Sequence, residues 1–413
     1  MQNDLDIFLS DEFRRTVESC LERDPVRIAL DRRVPHAALV ASQVKYLGRA
    51  RNKLPSYFEA RCIVPPKAFE QASSEATAAR KEYSGAVAID LTCGLGVDSL
   101  GLSKRFGRVI ALERDPFLAA VARENFRRLG AANIEVVNTS AGDFLSASDL
   151  NENIDLIYVD PDRRDTGGKK MVRLEDCSPD VVALLPVLRR IAPRLVVKLS
   201  PLFDVDEVFR VFGSGARVEV VSLGGECKEI IADIRFDLIA NPIDTADPAA
   251  SATSTVCAVA IGLGKYEALP SVLTDGSQSH SRTRALAQPF EAARYRYLII
   301  PDVALQKARL AVRYLREHGV WTDSDNGYGF AAEKPAPEII GRVLEIESLE
   351  PFDPKALKRT LKAQGVKSID ILRRDFPHST AEIARTLGVK EGGPRQIAFT
   401  RAADRLWQIT LKS

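Results

Sequence analysis

The chain has 413 residues, enough for two to four domains of roughly 100–200 residues each. Hydrophobic residues make up 45% and charged residues 28%, the balance of an ordinary folded protein, which excludes global disorder. The 58 Lys and Arg against 56 Asp and Glu give a net charge of +2, so binding of nucleic acid through bulk charge is excluded, whereas a local basic patch is not.

The N-terminus and the cysteines indicate where the protein works. The first residues, MQNDLDIFLSDEFRR, are acidic and polar where a secretory signal is basic and then apolar, and no apolar run approaches the ~20 residues that span a bilayer. The six cysteines stand far apart with no CxxC pair, which predicts reduced thiols and a cytoplasmic protein without membrane contact. Because only four histidines occur, none near another, we expect neither a metal site nor a Ser-His-Asp triad.

Residues 1–80 are predicted to form helices, since Leu5, Phe8 and Leu9 recur at helical spacing and no strand pattern precedes Ala86. From there, short β-branched runs alternate with amphipathic stretches. The five predicted strands are 86–90, 108–112, 134–138, 154–160 and 194–200. Strands that alternate with helices predict βαβ units, and burial on both faces explains why these strands are nearly all apolar. The predicted fold class is therefore α/β, with a Rossmann-like parallel sheet behind a helical N-terminal region.

The second half of the chain predicts a different arrangement. Strands predicted at 217–223 and 228–234 lie too close for a crossover helix, so we expect an antiparallel pair at the edge of the sheet. The last stretch alternates strand, helix, strand and helix before two hairpin strands, which predicts a small α+β module. The sequence thus divides into four parts: a helical region at 1–80, a Rossmann-like domain at 81–265, a short segment at 290–332 and the α+β module at 340–413.

A glycine-rich loop, Asp90-Leu-Thr-Cys-Gly-Leu-Gly-Val-Asp98, directly follows the first predicted strand and precedes a helix. Glycines let the backbone turn tightly and let a ligand lie against it, and the N-terminus of the following helix offers free N–H groups. The loop also lies at the carboxyl end of a strand, where open α/β sheets bind their ligands. This loop therefore predicts a nucleotide site.

Two kinds of cofactor loop compete for this stretch. A dinucleotide loop needs the pattern GxGxxG, but position 99 is Ser where that pattern has its third glycine. The S-adenosylmethionine (SAM) loop of class I methyltransferases has an acidic residue that ends the strand and glycines at every second position after it. Asp90 and both glycines fit that pattern, while Thr92 replaces its first glycine. The loop residues predicted to bind SAM are Asp90, Thr92, Cys93, Gly94, Gly96 and Asp98, although Cys93 also fits as a small residue that packs.

Three further acidic residues stand at the ends of later predicted strands, in the order that SAM binding requires. Glu113 follows the second strand, where a carboxylate can accept both ribose hydroxyls. Asp143 follows the third strand, where such enzymes bind the adenine amine. Asp160 ends the fourth strand, where the transferred methyl group and its acceptor meet. Each acid alone also suits a helix cap, so it is the ordered set that predicts the SAM site.

The candidate catalytic segment is Asp160-Pro161-Asp162-Arg163. It resembles the (Asp/Asn)-Pro-Pro-aromatic motif of exocyclic-amine methyltransferases, in which an acid and a backbone carbonyl accept the amine hydrogens while the aromatic ring stacks on the base. Arg163 replaces the aromatic residue, although an Arg plane can also stack on a base or pair with a phosphate. No Cys follows Pro161, which disfavours a 5-methylcytosine mechanism. Asp160 or Asp162 as general base toward a ring N–H stays open.

Polar residues near later strand ends complete the candidates for the acceptor side. Lys198, Ser200 and Pro201 end the fifth predicted strand, and Glu226, Lys228 and Glu229 follow the sixth. These residues fit a frame around the acceptor pocket. They fit equally well a salt-bridged hairpin with a turn proline, and the sequence does not decide between the two.

The C-terminal module is mildly basic, with thirteen Lys and Arg against nine Asp and Glu from residue 343 to 413, a net charge of +4. Four of its basic residues fall at positions i, i+3, i+4 and i+7 of one predicted helix, and so on one face. The candidate RNA contacts are Arg164, Lys355, Lys358, Arg359 and Lys362. Such a stripe can follow phosphates with an affinity that depends on salt, although a plain solvated face fits the same pattern.

Several stretches of the chain form a recognisable set: KLPSYFEA, SSEATA, DLTCGLGVDSL, YVDPDRR, GECKE, YLIIPDVALQKA and RRDFPHSTAEIARTLGVKEGG. Together they resemble a known family, the class I SAM-dependent methyltransferases that carry a ferredoxin-like segment and a C-terminal THUMP-like domain. The resemblance covers nearly the whole length and makes 290–332 the ferredoxin-like segment and 340–413 the THUMP-like domain. THUMP domains of other enzymes bind tRNA or related RNA, so the resemblance implies an RNA substrate.

These features favour a methyltransferase that uses SAM as its cofactor and methylates a base of RNA, tRNA or rRNA, by in-line transfer. Position and alignment supply much of the rate of such a step. Two alternatives stay open: a methyltransferase of a small molecule or a protein, and a catalytically idle module that binds SAM and RNA. A dehydrogenase is disfavoured by Ser99.

Overall fold

The computed structural model describes residues 2–147, 153–163, 173–213, 215–236, 254–269 and 289–412. The chain divides into two compact units. The first unit comprises Met1–Phe203, Glu207–Ala216 and Ile231–Ala250, and the second comprises Asp204–Asp206, Arg217–Ile230 and Ser251–Ser413. The division of the sequence into four parts stays a prediction.

Seven helices lie within residues 2–84, the region where the apolar spacing predicts them. They are Gln2–Leu9 (α1), Asp11–Cys20 (α2), Pro25–Leu30 (α3), Ala37–Lys53 (α4), Pro55–Glu59 (α5), Pro66–Gln71 (α6) and Glu75–Ala79 (α7). Side chains fix several of the starts: Ser10 accepts the N–H of Phe13 at 3.1 Å before α2, and Asp24 accepts that of Val26 at 2.7 Å before α3. Proline begins α3, α5 and α6, where its missing N–H breaks no hydrogen bond.

The first unit contains the predicted parallel sheet. The strands from residue 85 to 199 are Gly85–Asp90 (β1), Phe106–Leu112 (β2), Ile134–Val137 (β3), Leu156–Val159 (β4), Asp162–Arg163 (β5), Cys177–Ser178 (β6) and Arg194–Leu199 (β7). β3, β2, β1, β4 and β7 lie side by side in that order, and each neighbouring pair is parallel. β5 and β6 form a separate antiparallel pair. The helices that follow are Val97–Ser103 (α8), Pro116–Leu129 (α9), Ala141–Ala147 (α10), Val181–Ile191 (α11) and Val205–Phe212 (α12).

The N-terminal helices and one side of this sheet share a hydrophobic core. That core runs from Phe8 of α1 through Tyr57 of α5 to Phe126 of α9. A buried amide fixes the register between the two layers: Asn125 on α9 accepts the N–H of Ile63 at 2.8 Å and donates to its carbonyl at 2.9 Å. A buried amide that left these groups unpaired would cost about 1–3 kcal/mol, so the two bonds hold residue 63 against α9.

The chain next forms four strands: Ala216–Leu223 (β8), Glu226–Arg235 (β9), Thr255–Ile261 (β10) and Gly264–Ala268 (β11). β10 pairs with β8 in parallel and with β11 in antiparallel orientation. Gly224 and Gly225 have φ values of 61° and 79° and form the two-residue turn between β8 and β9, which are neighbours in the sheet. Because a two-residue connection joins antiparallel strands, the antiparallel pair predicted from the sequence is present.

Residues 289–412 contain a six-stranded sheet. Its strands are Tyr297–Pro301 (β12), Gly329–Ala331 (β13), Gly341–Pro351 (β14), Ser368–Arg373 (β15), Lys390–Ala402 (β16) and Arg405–Leu411 (β17), in the order β13-β12-β14-β17-β16-β15. The helices of this region are Val303–Lys307 (α13), Ala311–Glu317 (α14), Pro354–Ala363 (α15) and Thr380–Leu387 (α16). β12 pairs with β14, so the segment 290–332 and the module 340–413 share one sheet. α15 and α16 bury Leu357, Leu361 and Ile383 in a core with Phe399 of β16.

Candidate active site

The glycine-rich loop runs from the end of β1 to the start of α8. Gly94 and Gly96 have φ values of 55° and 89°, in the left-handed region that favours glycine. A Cβ at Gly96 would overlap the ring of Phe126, whereas a Cβ at Gly94 would meet no atom within 4 Å. The second glycine is therefore required by close packing, and the first leaves open space beside the backbone.

Asp90, the last residue of β1, lies inside the loop and is fully buried. Its carboxylate accepts the hydroxyl of Ser99 at 2.6 Å and the backbone N–H of Thr92 at 2.9 Å. Burial raises the pKa of Asp90 to about 7, although these two hydrogen bonds work against the rise. The side chain thus ties β1 to its loop and to α8. Cys93 is also buried, and burial raises the pKa of its thiol well above the ordinary value.

Thr92 joins the loop to the end of β4. Its hydroxyl oxygen accepts the backbone N–H of Asp160 at 2.7 Å, and the N–H of Leu91 donates to the carbonyl of Tyr158 at 2.9 Å. The residue that replaces a glycine of the expected pattern therefore supplies a side-chain contact that glycine lacks. It brings Asp160 next to the loop.

Glu113 follows β2 and lies directly against the loop. One carboxylate oxygen accepts the N–H of Gly94 at 2.9 Å, and the other accepts that of Asp115 at 2.8 Å. The amide of Asn138, the residue after β3, donates to the carbonyl of Glu113 at 2.7 Å. The structure thus brings together the acids predicted at the ends of β1, β2 and β4.

The hydrogen bonds of Asp143 are made with Ser140 and not with the glycine-rich loop. It is exposed in the first turn of α10, where its carboxylate accepts the hydroxyl of Ser140 at 2.6 Å and its N–H donates back to that hydroxyl at 3.1 Å. The role of Asp143 as an adenine contact stays a prediction, because these two bonds explain it equally well as a helix-start residue.

Two buried lysines flank Asp98 of α8. Lys81 donates to one carboxylate oxygen at 2.6 Å, and Lys198 of β7 lies 3.5 Å from the other. Ser73 completes the network: it donates to Asp98 at 2.6 Å and accepts from Lys198 at 2.9 Å. Burial opposes a charge on Asp98, but the two lysines outweigh it and hold the pKa of Asp98 below its ordinary value.

Lys198 also forms an ion pair with Asp160. The Asp160 side chain is 33% exposed, whereas that of Lys198 is 11% exposed. Burial raises the pKa of Asp160 above its ordinary value, and the lysine opposes that rise. The carboxylate at the end of β4 therefore faces outward with a cation held directly behind it.

The rest of the candidate catalytic segment leads away from Asp160 into β5. Pro161 is buried and Asp162 is exposed, with its backbone opposite Ser178. The backbone of Arg163 pairs with Cys177 of β6. Arg164, predicted to contact RNA, lies outside the described residues.

The chain is similar to known proteins in part of its length by family and in most of its length by sequence and by structure. Residues 341–412 match the family described as THUMP domain-like. The chain is 24% identical over 362 residues to an uncharacterized S-adenosylmethionine-dependent methyltransferase of Mycobacterium tuberculosis (strain ATCC 25618 / H37Rv), covering 86% of this chain and 89% of the relative. A solved structure of a Porphyromonas gingivalis W83 protein, assigned as a methyltransferase, aligns with 97% of each chain at a TM-score of 0.80 and 24% identity.

The chain therefore has the fold of a solved methyltransferase, resembles SAM-dependent methyltransferases over most of its length, and carries a C-terminal THUMP-like domain. The solved structure confirms the predicted α/β fold, and the relatives bear out the prediction of a SAM-dependent enzyme. A shorter match is to the 23S rRNA (uracil(1939)-C(5))-methyltransferase RlmD of Aeromonas salmonicida (strain A449), 36% identical over 76 residues, which are 18% of this chain and 17% of that protein. Within the described ranges, the chain has no helix with the length and apolar character to cross a membrane.

The four predicted RNA contacts of the THUMP-like domain lie on α15, as their spacing predicts. Leu357 and Leu361 face the core, while Lys355, Lys358, Arg359 and Lys362 are exposed. Asp353 caps the helix by accepting the N–H groups of Lys355 and Ala356 at 2.9 and 3.0 Å. Among the described residues, none of the four basic side chains has a carboxylate within ion-pair distance, so their charges point to solvent.

Two stretches that were notable only for the family resemblance, KLPSYFEA and SSEATA, pack beside the glycine-rich loop. Ser56 of KLPSYFEA donates its hydroxyl to Glu75 of SSEATA at 2.8 Å. Tyr57, fully buried, donates its hydroxyl to the carbonyl of Leu95 at 3.0 Å. Ser73 belongs to the same second stretch. Reasoning from the residues missed Ser73 and Lys81 as parts of the site, because neither stands near a glycine loop or a strand end in sequence.

Proposed function

We propose that this methyltransferase binds SAM at the carboxyl edge of β1, β2 and β4 and transfers the methyl group to RNA. One observation carries the proposal: the glycine loop joins the two acids, since Gly94 donates to Glu113 at 2.9 Å and Thr92 accepts from Asp160 at 2.7 Å. SAM supplies a methyl group on a positively charged sulfur. An acid at the β2 end suits the ribose of such a molecule, and an acid at the β4 end suits its reacting group.

The residues at this edge fit SAM by their chemistry. The loop leaves room beside its backbone at Gly94. The half-buried carboxylate of Glu113 accepts one backbone N–H on each oxygen, and each oxygen keeps a second lone pair for a ribose hydroxyl. Asp90 is buried beneath the loop, so we assign it the role of holding the loop rather than of touching the cofactor.

An RNA substrate is supported by the THUMP-like domain and its basic helix. The match over residues 341–412 coincides with the module that carries the exposed face of α15. Four cations within two turns suit a run of phosphates. The relative that is named as a 23S rRNA methyltransferase points to the same substrate class. The choice of RNA, the tRNA or rRNA base expected from the sequence and the cytoplasmic location stay predictions.

A methyl-transfer assay tests this proposal. The purified chain is incubated with SAM that carries a tritiated methyl group and, in parallel, with total RNA, total protein and a small-molecule extract from cells that lack the gene. We expect label in RNA, and its loss when Glu113→Ala removes the ribose acceptor. Label in protein or in small molecules, with none in RNA, would contradict the RNA proposal while leaving the SAM site intact.

A methyltransferase of a small molecule or a protein is the second candidate. The observation in its favour is the near-neutral charge, +2 over the whole chain. Salt separates the two candidates: affinity for RNA falls steeply between 50 and 200 mM salt if several phosphates are bound, and affinity for a neutral acceptor does not. Calorimetric titration with total tRNA at both salt concentrations measures the difference.

A further inference from the structure

The acceptor side of the site contains a cation directly beside the carboxylate of Asp160. Lys198 reaches from β7 to the carboxylate of Asp160, and Ser73 and Asp98 hold its Nζ in place from behind. The exposed edge of Asp160 is therefore one side of an ion pair rather than a lone negative charge. This changes which kind of acceptor atom the site favours.

Electrostatics disfavours a nitrogen acceptor beside Lys198. When a neutral amine or ring nitrogen attacks a methyl group on a sulfonium, positive charge moves onto the nitrogen. A lone carboxylate stabilises that charge, but a carboxylate neutralised by a lysine does so far less, and the lysine itself repels it. A neutral nitrogen also has a single lone pair. Because the attack uses that pair, the nitrogen cannot accept a hydrogen bond from the neighbouring lysine at the same time.

A hydroxyl acceptor matches both members of the pair. Its hydrogen can be donated to the carboxylate of Asp160, one of its lone pairs can attack, and its second lone pair can face the lysine charge. As the hydroxyl loses its proton, negative charge grows on the oxygen. The fixed positive charge of Lys198 then stabilises the transition state more than the ground state, which is the requirement for catalysis.

We propose that the acceptor atom is a hydroxyl oxygen, the ribose 2′-hydroxyl of RNA, bound between Asp160 and Lys198. This inference rests on the proposed function for the class of substrate, and it names a different acceptor from the base predicted from the sequence. In the step, the hydroxyl oxygen forms the new bond to the methyl carbon while the carbon–sulfur bond breaks with its electron pair on sulfur. The hydroxyl proton passes to a carboxylate oxygen of Asp160 and from there to water, so charge and atoms balance.

The composition around the pair agrees with a sugar acceptor. The sequence has Asp162 and Arg163 where the amine-methylating motif has proline and an aromatic ring, and an Arg side chain can pair with a backbone phosphate as well as stack on a base. A ribose needs no stacking partner, because its hydroxyls and the adjoining phosphate are recognised by polar groups. Ser73, Asp98 and Lys81 act as positioning residues, since they touch Lys198 or its neighbour and not the acceptor.

Alkaline digestion of the labelled RNA separates the two kinds of acceptor. A methylated 2′-oxygen cannot attack the adjoining phosphodiester, so alkali leaves the label in resistant dinucleotides, whereas a methylated base leaves it in mononucleotides. We expect the label in dinucleotides when total RNA from cells lacking the gene is used. Label in mononucleotides alone would overturn the hydroxyl inference and leave the RNA proposal standing. Label in no RNA, with label in protein or small molecules, would overturn both.

A variant pair tests the role of Lys198 directly. Lys198→Met keeps the length of the side chain and removes the charge, and we expect the transfer rate to fall about 100-fold, the size of effect seen when one transition-state donor is removed. Calorimetric binding of S-adenosylhomocysteine should change less than threefold, which shows that the variant is folded. Lys104→Met, an exposed lysine after α8, is the matched control and should keep full activity. A Lys198→Met enzyme that binds S-adenosylhomocysteine and transfers at the normal rate would refute the assignment.

Discussion

The carboxyl edge of the sheet in the first unit and the basic face of α15 in the second are both candidate binding surfaces, but they are built in opposite ways. The edge consists of buried or half-buried groups that hydrogen-bond one another, such as Asp90 with Ser99 and Glu113 with Gly94. The basic face consists of exposed side chains without ion-pair partners among the described residues. Substitutions at the edge should therefore have large, residue-specific effects, and substitutions on the face should have small, additive, salt-dependent ones.

The largest expected effect is a pH dependence that comes from Asp90. An unfolded chain releases this proton near the ordinary pKa of 3.8, and the folded chain releases it near pH 7. Stability linked to the raised pKa is therefore present below pH 4 and is lost as the pH rises to about 7. Asp90→Asn removes the titration and keeps an acceptor for the N–H of Thr92. As the pH rises from 4 to 7, we expect the free energy of unfolding of Asp90→Asn to increase by on the order of 4 kcal/mol relative to that of the parent.

Urea unfolding of both proteins at pH 4, 5.5, 7 and 8 measures this difference. Above about pH 7 the difference should become constant, because Asp90 is then ionised in both states. A constant difference across the whole range would mean that Asp90 ionises in the folded chain with its ordinary pKa, as an exposed carboxylate does.

The two loop glycines give the next largest effect and act as each other's control. Gly96→Ala forces a side chain into the left-handed region and into the ring of Phe126, for an expected loss of about 2–4 kcal/mol of unfolding free energy. Gly94→Ala meets no atom within 4 Å and should lose only about 1 kcal/mol from its backbone conformation. Urea denaturation of both variants provides the test. Equal losses would show that packing against α9 does not set the shape of the loop.

The sequence predicts much of the edge because the fold itself aligns strand ends. The sequence places Asp90, Glu113 and Asp160 at the ends of β1, β2 and β4, and parallel strands bring those ends together. The sequence could not predict the lysine network, because it joins residues with no local pattern: Ser73 and Lys198 are 125 positions apart. The glycine loop predicts a cofactor role for Asp98, but the side chains that contact Asp98 come from outside the loop. Only the packing of the N-terminal region shows these contacts.

Cofactor affinity should depend strongly on Glu113, which contacts the glycine-rich loop, and only weakly on Asp143, which does not. Glu113→Ala removes two charge-assisted hydrogen bonds to backbone N–H groups as well as the proposed ribose contact. The lost contacts should cost about 1.5–3 kcal/mol of binding free energy, so the affinity of the Glu113→Ala variant for S-adenosylhomocysteine should fall roughly 10- to 100-fold. Asp143→Ala, whose bonds stay with Ser140, should lose less than about threefold if solvent screens its exposed carboxylate. Calorimetric titration compares the two, and equal losses would give Asp143 the direct role predicted from the sequence.

The smallest expected effect lies on the basic face of α15. Changing Lys355, Lys358, Arg359 and Lys362 to Gln together should weaken binding of total tRNA roughly tenfold. The slope of log affinity against log salt should fall by about 3, since each phosphate that is no longer neutralised contributes roughly 0.7–0.9. The matched control changes four other exposed cations of the same module to Gln, with the same change in net charge: Lys367, Lys390, Arg401 and Arg405. Filter binding from 50 to 300 mM salt should show the reduced slope for the first set alone. If both sets reduce the slope equally, the THUMP-like domain attracts RNA by its overall charge, and the helix face is not a specific surface.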